Sequence, residues 1–338
     1  MSKAPETRGK RRPGRAARQN SGAGRTGQWA RAWCLGALVA ICNLLATGLA
    51  AGPALAQMAG DPASADPVVR GAYIFAAAGC AGCHTDPKGE GKLLAGGRAL
   101  ETPFGTFYSP NITPDPETGI GTWTEADFAR ALREGVGPDG TVYFPVFPYT
   151  SFTMMKETDV ADLWAYMQTV PAVVQQNRAH DANFPFGWRG LLPVWRWLNF
   201  ESGPLATDPA LSEAAARGAY LVNALGHCGE CHTPRDWLGA LDRDAQLSGT
   251  KSGPEGGSVP NITPDEATGI GRWSDAEIMR VLETGMLPDY DVVGSGMGEV
   301  VANSTSRLTV EDRQAIIDYL RILPPIANPD AKATQPEY

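Results

Sequence analysis

Two short segments of the chain concentrate thiol and imidazole groups. Residues 80–84 and residues 228–232 both have the pattern Cys-X-X-Cys-His. Two thiols three positions apart on one turn of backbone can each form a thioether with a porphyrin vinyl group, and the next histidine can bind the iron. This is the c-type haem attachment signature. We therefore predict two covalently bound haem c groups, attached through Cys80, Cys83, Cys228 and Cys231, with His84 and His232 as proximal iron ligands.

Paired cysteines also serve other purposes. A single Cys-X-X-Cys pair occurs in zinc half-sites, disulfides and redox dithiols, and the two pairs here could together bind one shared zinc ion. In both copies, however, a histidine directly follows the second cysteine. Zinc sites seldom need that spacing, so the pattern favours haem.

The second axial position of each iron requires a ligand from elsewhere in the chain. The two remaining histidines are His180 and His227, and His227 adjoins Cys228, so a bis-histidine pair is not expected. No cysteine beyond position 56 remains outside the two motifs. Methionine, which raises the potential of the iron, is the remaining common choice.

One stretch in each half offers such a methionine. In the second half, Met297 lies between two glycines, which allow a close backbone approach. In the first half, Met155 lies at a similar distance along the chain from its cysteine motif, and Met154 is its neighbour. We predict Met155 and Met297 as distal ligands in the loops before the closing helices, with Met154 as the alternative in the first half.

The residues around each motif are repeated along the chain. Residues 70–73 (Arg-Gly-Ala-Tyr) return at 217–220, and residues 110–115 (Pro-Asn-Ile-Thr-Pro-Asp) return at 260–265. The offset between the copies is nearly constant, which indicates a duplicated domain, because a period this long does not occur in a solenoid. The prediction is a mostly α fold with two domains in tandem and one haem in each.

Helical patterns surround both motifs. A helix is expected to lead into each motif, from about Pro67 and from about Asp208. Capping boxes at 124–127 and 274–277 predict two further short helices that end near a glycine. Two amphipathic helices are expected to close the copies. Their apolar residues are Val160, Leu163, Trp164 and Met167 in the first copy, and Ile316, Leu320 and Leu323 in the second.

The N-terminal segment, 1–56, is typical of an export signal. Residues 1–31 contain nine Lys or Arg and one acid, residues 32–56 contain no charge, and Ala54-Leu55-Ala56 is a small-X-small cleavage site. Gln57 is thus the predicted first mature residue, and the predicted location is the periplasm. An uncut segment would instead attach the chain to the inner membrane, since about 20 apolar residues span a bilayer.

These features divide the chain into four parts: the signal at 1–56, a first domain at 57–172, a linker at 173–206 and a second domain at 207–338. The linker is too aromatic for a free tether. We expect its rings to pack between the domains, and they include Trp188, Trp195, Trp197 and Phe200.

The charge of the chain constrains its partners. Beyond position 56 there are 20 basic and 36 acidic side chains, a formal charge of −16. Such a surface argues against binding to nucleic acid and suits a basic patch on a protein partner.

The sequence resembles the cytochrome c subunits of bacterial membrane-associated gluconate and alcohol dehydrogenases. The resemblance covers nearly all of residues 65–325 and rests on residues 111–115 (Asn-Ile-Thr-Pro-Asp), residues 147–152 (Phe-Pro-Tyr-Thr-Ser-Phe) and their counterparts in the second copy. It implies two cytochrome c-like domains that pass electrons from a dehydrogenase catalytic subunit toward a quinone, a cytochrome or an oxidase. Asn111 and Asn261 are expected either to bond a haem propionate or to hold a loop.

Two departures from that family affect the prediction. Its members commonly carry three haems, whereas this chain has two motifs. Phe147 stands where the family often has its first distal methionine, and this favours Met155.

Two functions compete at this point. An electron carrier or dehydrogenase subunit, without bond chemistry of its own, needs a methionine on both irons. A diheme enzyme, similar to a peroxidase or a thiosulfate dehydrogenase, needs an open iron or a cysteine ligand. The methionine candidates in both halves and the absence of a spare cysteine beyond position 56 favour the electron carrier.

Overall fold

The computed structural model describes residues 60–88, 91–206, 208–253 and 257–331. The predicted export signal and its cleavage site lie outside these ranges. Within them, no helix has the length and apolar character needed to cross a membrane.

The described residues are helix-rich, as predicted, and each half supplies a similar series of helices. Those of the first half are α1 (Pro67–Ala77), α2 (Cys80–His84), α3 (Glu125–Glu134), α4 (Tyr149–Phe152) and α5 (Glu157–Met167). The linker contains α6 (Leu192–Asn199). Those of the second half are α7 (Glu213–Tyr220), which a π-helical turn continues over Leu221–Leu225, then α8 (Gly229–His232), α9 (Asp275–Thr284), α10 (Ser295–Asn303) and α11 (Val310–Ile322).

One small antiparallel sheet accompanies the helices. Strand β1 (Ala99–Thr102) pairs with β2 (Gly105–Tyr108), and β2 also pairs with the linker strand β3 (Asp181–Ala182). The linker is therefore joined to the first half by backbone hydrogen bonds.

Local sequence signals set most helix ends. Both predicted capping boxes are present, at the starts of α3 and α9, and both helices end at glycines in the left-handed region, Gly135 and Gly285. Helix α7 begins at Glu213, later than the predicted start near Asp208. The reason is the Ser212 side chain, which accepts a hydrogen bond from the Ala215 amide and caps the helix there.

Glycines allow the first and last helices of each half to cross closely. A Cβ atom at Gly71 of α1 would lie 2.0 Å from the Asp162 carbonyl oxygen of α5. A Cβ atom at Gly218 of α7 would lie 1.8 Å from the Ala315 carbonyl oxygen of α11. The repeated Arg-Gly-Ala-Tyr segment thus places its glycine at each crossing.

The two halves are held together by a reciprocal pair of tyrosine–aspartate hydrogen bonds. The Tyr73 hydroxyl of the first half donates to Asp312 Oδ2 of the second at 2.6 Å. The Tyr220 hydroxyl of the second half donates to Asp159 Oδ2 of the first, also at 2.6 Å. One hydrophobic core runs through both halves and includes all of α1's buried aromatic residues as well as Tyr220.

Asp312 occupies a buried position in this interface. Arg217 donates to both of its carboxylate oxygens, at 2.8 and 2.6 Å, in addition to the bond from Tyr73. Burial acts to raise the pKa of Asp312, but the hydrogen bonds from Arg217 and Tyr73 outweigh it and lower the pKa below its usual value. The carboxylate is therefore charged at neutral pH.

The linker rings pack only in part as predicted. Trp195 Nε1 donates to the Leu238 carbonyl of the second half at 2.9 Å, and the ring of Phe200 lies 5.0 Å from that of Tyr149. Trp188 and Trp197, in contrast, are 62% and 82% exposed. The expectation of packing between the domains is wrong for these two rings.

Candidate haem-attachment sites

The first cysteine motif forms a short helix with an oriented histidine. Gly79 precedes α2 in the left-handed region, at φ 62°. At the other end of α2, His84 Nδ1 lies 2.9 Å from the Pro110 carbonyl oxygen. Because a carbonyl only accepts, Nδ1 carries the proton and Nε2 presents its lone pair. This is the form of imidazole that binds a metal through Nε2.

The second motif repeats this arrangement. His232 Nδ1 lies 2.8 Å from the Pro260 carbonyl oxygen. Burial lowers the pKa of both His84 and His232, partly opposed by these carbonyl bonds, so both rings are neutral near pH 7. The repeated Pro-Asn-Ile-Thr segment thus fixes, in each half, the imidazole tautomer that could bind a metal through Nε2.

A glycine supports the histidine end of each cysteine motif through a backbone hydrogen bond. Gly96 and Gly249 donate their amide hydrogens to the carbonyls of His84 and His232, at 2.8 and 2.7 Å. Both glycines are left-handed, at φ 76° and 80°, and a Cβ atom would lie within 2.5 Å of the adjoining Pro-Asn backbone. Sequence reasoning missed this pair because the loop that runs from the glycine to the proline is longer in the first half (96–110) than in the second (249–260).

Asn111 and Asn261 hold these loops. Asn111 Oδ1 accepts from the Thr113 amide at 2.9 Å, and its Nδ2 donates to Thr118 Oγ1 at 3.0 Å and to the Val173 carbonyl at 2.7 Å. Asn261 makes the equivalent bonds in the second half. We expected these asparagines either to bond a haem propionate or to hold a loop. Both polar atoms of the Asn111 side chain are bonded to loop residues, which accounts for the second role.

The thiol nearest the core in each motif is protonated at neutral pH. The Cys80 and Cys228 thiols are not part of a disulfide, and burial raises the pKa of each to about 12. Within the ranges that the structure describes, no three His, Cys, Asp or Glu side chains are placed to hold a metal ion.

The predicted distal methionines occupy different environments. Met155 is 1% exposed and belongs to the core against which Cys80 and Cys228 pack, while Met154 is half-buried against the same core. Met297 is half-buried and lies in the first turn of α10, in a helix rather than the predicted loop.

The segment leading to Met155 contacts the second cysteine motif. Thr150 Oγ1 and Ser151 Oγ of α4 donate to Glu230 Oε1, at 2.8 and 2.9 Å. Glu230 lies inside the second motif, is 8% exposed, and also forms an ion pair with Arg235. A buried, fully hydrogen-bonded carboxylate thus connects α4 of the first half to α8 of the second.

The helix that carries Met297 contacts the first cysteine motif in return. Arg98 of the first half bonds to both the Gly82 carbonyl in α2 and the Glu299 carboxylate in α10. Just after α10, Ser304 Oγ donates to the Ala77 carbonyl of α1 at 3.0 Å. The segment that leads to Met155 in the first half therefore contacts the second cysteine motif, and the helix that carries Met297 in the second half contacts the first. The repeat in the sequence does not reveal this exchange.

The two remaining histidines have protein partners. His180 Nδ1 accepts from the Tyr108 amide at 3.2 Å, beside the rings of Phe107 and Phe144. The His227 ring lies perpendicular to that of Phe152 at 5.4 Å, and burial lowers its pKa. That neither histidine serves as a distal ligand stays a prediction.

Comparison with known proteins identifies the family of the chain. Residues 68–171 match the cytochrome c family. The chain is 47% identical over 262 residues to a diheme cytochrome c-type protein of Cereibacter sphaeroides, covering 76% of this chain and 86% of that protein.

Cytochrome c subunits of dehydrogenases are also similar to this chain. The cytochrome c subunit of an alcohol dehydrogenase (quinone) from Gluconacetobacter polyoxogenes is 39% identical, with 83% of this chain and 60% of that subunit aligned. The gluconate 2-dehydrogenase cytochrome c subunit of Pantoea cypripedii is also 39% identical, with 79% and 62% aligned. The chain thus spans about three fifths of the length of these two subunits. From its paired motifs and these relatives, the chain belongs to the cytochrome c family, with the diheme cytochromes and the cytochrome c subunits of alcohol, fructose and gluconate dehydrogenases.

Proposed function

We propose that this chain is a periplasmic diheme cytochrome c that carries electrons from a dehydrogenase partner toward a quinone, cytochrome or oxidase acceptor. The observation that carries the proposal is the equivalent orientation of His84 and His232, each with Nδ1 bonded to a proline carbonyl beside a Cys-X-X-Cys pair. Two such sites suit two covalently attached cofactors.

The donor set in each half fits haem c. Two thiols three residues apart provide the thioether bonds, and a neutral imidazole with a bonded Nδ1–H provides the proximal ligand. When bound, the haem iron supplies reversible one-electron exchange. The residues assigned to attachment are Cys80 and Cys83 with His84, and Cys228 and Cys231 with His232.

Met155 and Met297 are the proposed distal ligands. Met155 is supported by its position in the core shared with Cys80, and the more exposed Met154 is the alternative. A thioether on both irons would raise both potentials and leave neither iron open to substrate. This supports electron transfer over a peroxidase-like reaction.

The contacts between the halves support electron exchange within the molecule. Glu230 with Ser151, and Arg98 with Gly82 and Glu299, connect each methionine segment to the opposite cysteine motif through side chains in fixed positions. Because these groups are buried or half-buried and bonded on several sides, they hold the two sites at a constant separation. Electron exchange between two haems held at these motifs would then need no movement of the domains.

The proposed partner is supported by the relatives and by the charge of the chain, and the proposed location is supported by the N-terminal segment. Relatives named as cytochrome c subunits of alcohol and gluconate dehydrogenases support a dehydrogenase catalytic subunit as electron donor. The formal charge of −16 beyond position 56 suits a basic docking surface on that partner. The export signature in residues 1–56 supports the periplasm, where c-type haem is attached in bacteria, and an uncut segment would add attachment to the inner membrane.

Spectroscopy of the exported protein tests the proposal. A pyridine haemochrome assay is expected to give two c-type haems per chain, and the double variants C80A/C83A and C228A/C231A are each expected to remove one. Both haems should be low-spin, show the absorption band of haem–methionine ligation when oxidised, and fail to bind carbon monoxide. A high-spin haem that reacts with carbon monoxide or peroxide would contradict electron transfer as the sole function.

A further inference from the structure

The second half has one residue more than the first in the helix that leads into its cysteine motif. The motif begins seven positions after Tyr73 in the first half but eight positions after Tyr220 in the second. The extra residue coincides with the π-helical turn over Leu221–Leu225, where the Gly226 amide donates to the Leu221 carbonyl at 2.7 Å. Such turns are rare and are frequent at functional sites. This turn is therefore a specific difference between two otherwise similar halves.

The residue directly before the second motif has a strained backbone. His227 has φ 37°, in the left-handed region where residues other than glycine are uncommon. The residue directly before the first motif is Gly79, which adopts φ 62° without this cost. Strain of this kind persists only where the surrounding structure enforces it, and it is concentrated at functional positions. We therefore expect the His227 side chain to make contacts that glycine could not make.

The His227 imidazole contacts the first half at two places. Its ring lies 5.4 Å from the Phe152 ring and nearly perpendicular to it. The Ala78 carbonyl, two residues before Cys80, accepts a hydrogen bond from the imidazole. Phe152 is itself joined to Met155, whose amide donates to the Phe152 carbonyl at 3.0 Å. One side chain of the second half thus contacts both the approach to the first motif and the approach to Met155.

Glu230, inside the second motif, contacts the same part of the first half. Thr150 Oγ1 and Ser151 Oγ donate to its Oε1 at 2.8 and 2.9 Å, and its other oxygen forms an ion pair. The side chain is buried, so these bonds are shielded from water. Together with the ring contact of His227, they place three consecutive residues, 150–152, against the second motif.

We propose that His227 and Glu230 are positioning residues for the first haem site. From the second motif they hold residues 149–155, which we call the Met155 segment. The inference rests on the proposed function, because it takes Met155 as a distal ligand. Helix α4 has only four residues, and a helix this short depends on tertiary contacts for its stability. A change in the second motif should therefore affect the haem of the first half more than the haem beside it.

Site-resolved hydrogen exchange of the exported holoprotein tests these contacts. The amides of residues 151–155 all donate to backbone carbonyls, so their exchange reports local opening of the segment. H227G and E230Q should each accelerate this exchange several-fold, up to about tenfold, which is the equivalent of one lost hydrogen bond. Glycine tolerates the left-handed backbone, so H227G removes only the side chain.

The matched control is E157Q. It removes a carboxylate that lies two positions after Met155 but is 88% exposed and is paired with Arg133 of the same half. Exchange in residues 151–155 should therefore stay as in the unaltered protein. This control separates the contacts with the second motif from a general effect of charge near Met155.

The haem–methionine absorption band identifies the haem that is affected. H227G should weaken the band of one haem. Added to M155L, H227G should remove nothing further, whereas added to M297L it should weaken the band that remains. The same oxidation–reduction step should shift in H227G and in M155L.

Two results would overturn the inference. One is exchange in residues 151–155 that is as slow in H227G and E230Q as in the unaltered protein. The other is a loss of band in H227G that adds to the loss in M155L, because the affected haem would then be the second. A haem count below two in the unaltered protein would contradict the proposed function instead, and the exchange rates would still decide whether the second motif holds the Met155 segment.

Discussion

Removal of the Tyr73 hydroxyl is the sharpest test of how the two halves are joined. Tyr73 is 1% exposed; its hydroxyl donates to Asp312 at 2.6 Å and accepts from the Thr309 amide at 3.1 Å. Burial and the bond to Asp312 raise the pKa of Tyr73, so it is a neutral donor at neutral pH. The substitution Y73F keeps the ring and deletes only this junction between α1 and α11.

The expected loss follows from the kind of bonds removed. A hydrogen bond to a charged group contributes about 1.5–3 kcal/mol, and a part-buried amide left without its partner costs about 1 kcal/mol. Asp312 keeps both bonds from Arg217, which limits the loss. We therefore expect Y73F to lower the free energy of unfolding by about 2–3 kcal/mol.

Urea denaturation of the holoprotein, followed by far-ultraviolet circular dichroism, measures this change. The matched control is Y149F, because the Tyr149 hydroxyl is buried with no hydrogen-bond partner among the described residues. Y149F should be neutral or slightly stabilising. The reciprocal variant Y220F should be destabilising, but less than Y73F, since its acceptor Asp159 is only half-buried. If Y73F were as stable as Y149F, the tyrosine–aspartate pair would not be what holds the halves together.

Three further outcomes are expected. Because the pKa of Asp312 is lowered in the folded state, its contribution to stability is present above the unfolded value of about 3.9 and is lost as pH falls through the folded pKa. Urea midpoints should thus fall steeply below about pH 4. The variant D312N, although less stable at pH 7, should flatten this fall. An equally steep fall in D312N would argue against this role of Asp312. G249A should reduce the haem content of the second half, since a Cβ atom there would lie 2.5 Å from the Asn261 nitrogen. The control G257A, at a glycine with open space around it, should not. Equal haem content in the two variants would argue against a supporting role for Gly249. M155L should remove the haem–methionine absorption band of one haem while M154L keeps it, and the reverse result would transfer the ligand role to Met154.

The cysteine motifs, the repeat and the starts of the two helices with capping boxes could be predicted from the sequence because they depend on short-range chemistry. The spacing of Cys80, Cys83 and His84 defines one turn of backbone, whatever surrounds it. The capping boxes act within four residues, so both helices begin where the sequence predicts. The family resemblance rests on the same local segments and is confirmed by the relatives.

Other features depend on contacts between residues far apart in the chain, and only the tertiary structure decides them. The Nδ1 partner of His84 is a carbonyl 26 residues away, and Glu230 meets Ser151 across 79 residues. Periodicity predicts that a helix such as α6 has an apolar side, but it cannot tell which side faces the protein. Here arginine stacking on Tyr149 and Phe200 turns the polar side inward and leaves Trp197 outside. The sequence by itself therefore predicted the cofactor chemistry and determined the duplicated plan, whereas the reciprocal contact of the halves and the exposed linker face arise from long-range packing.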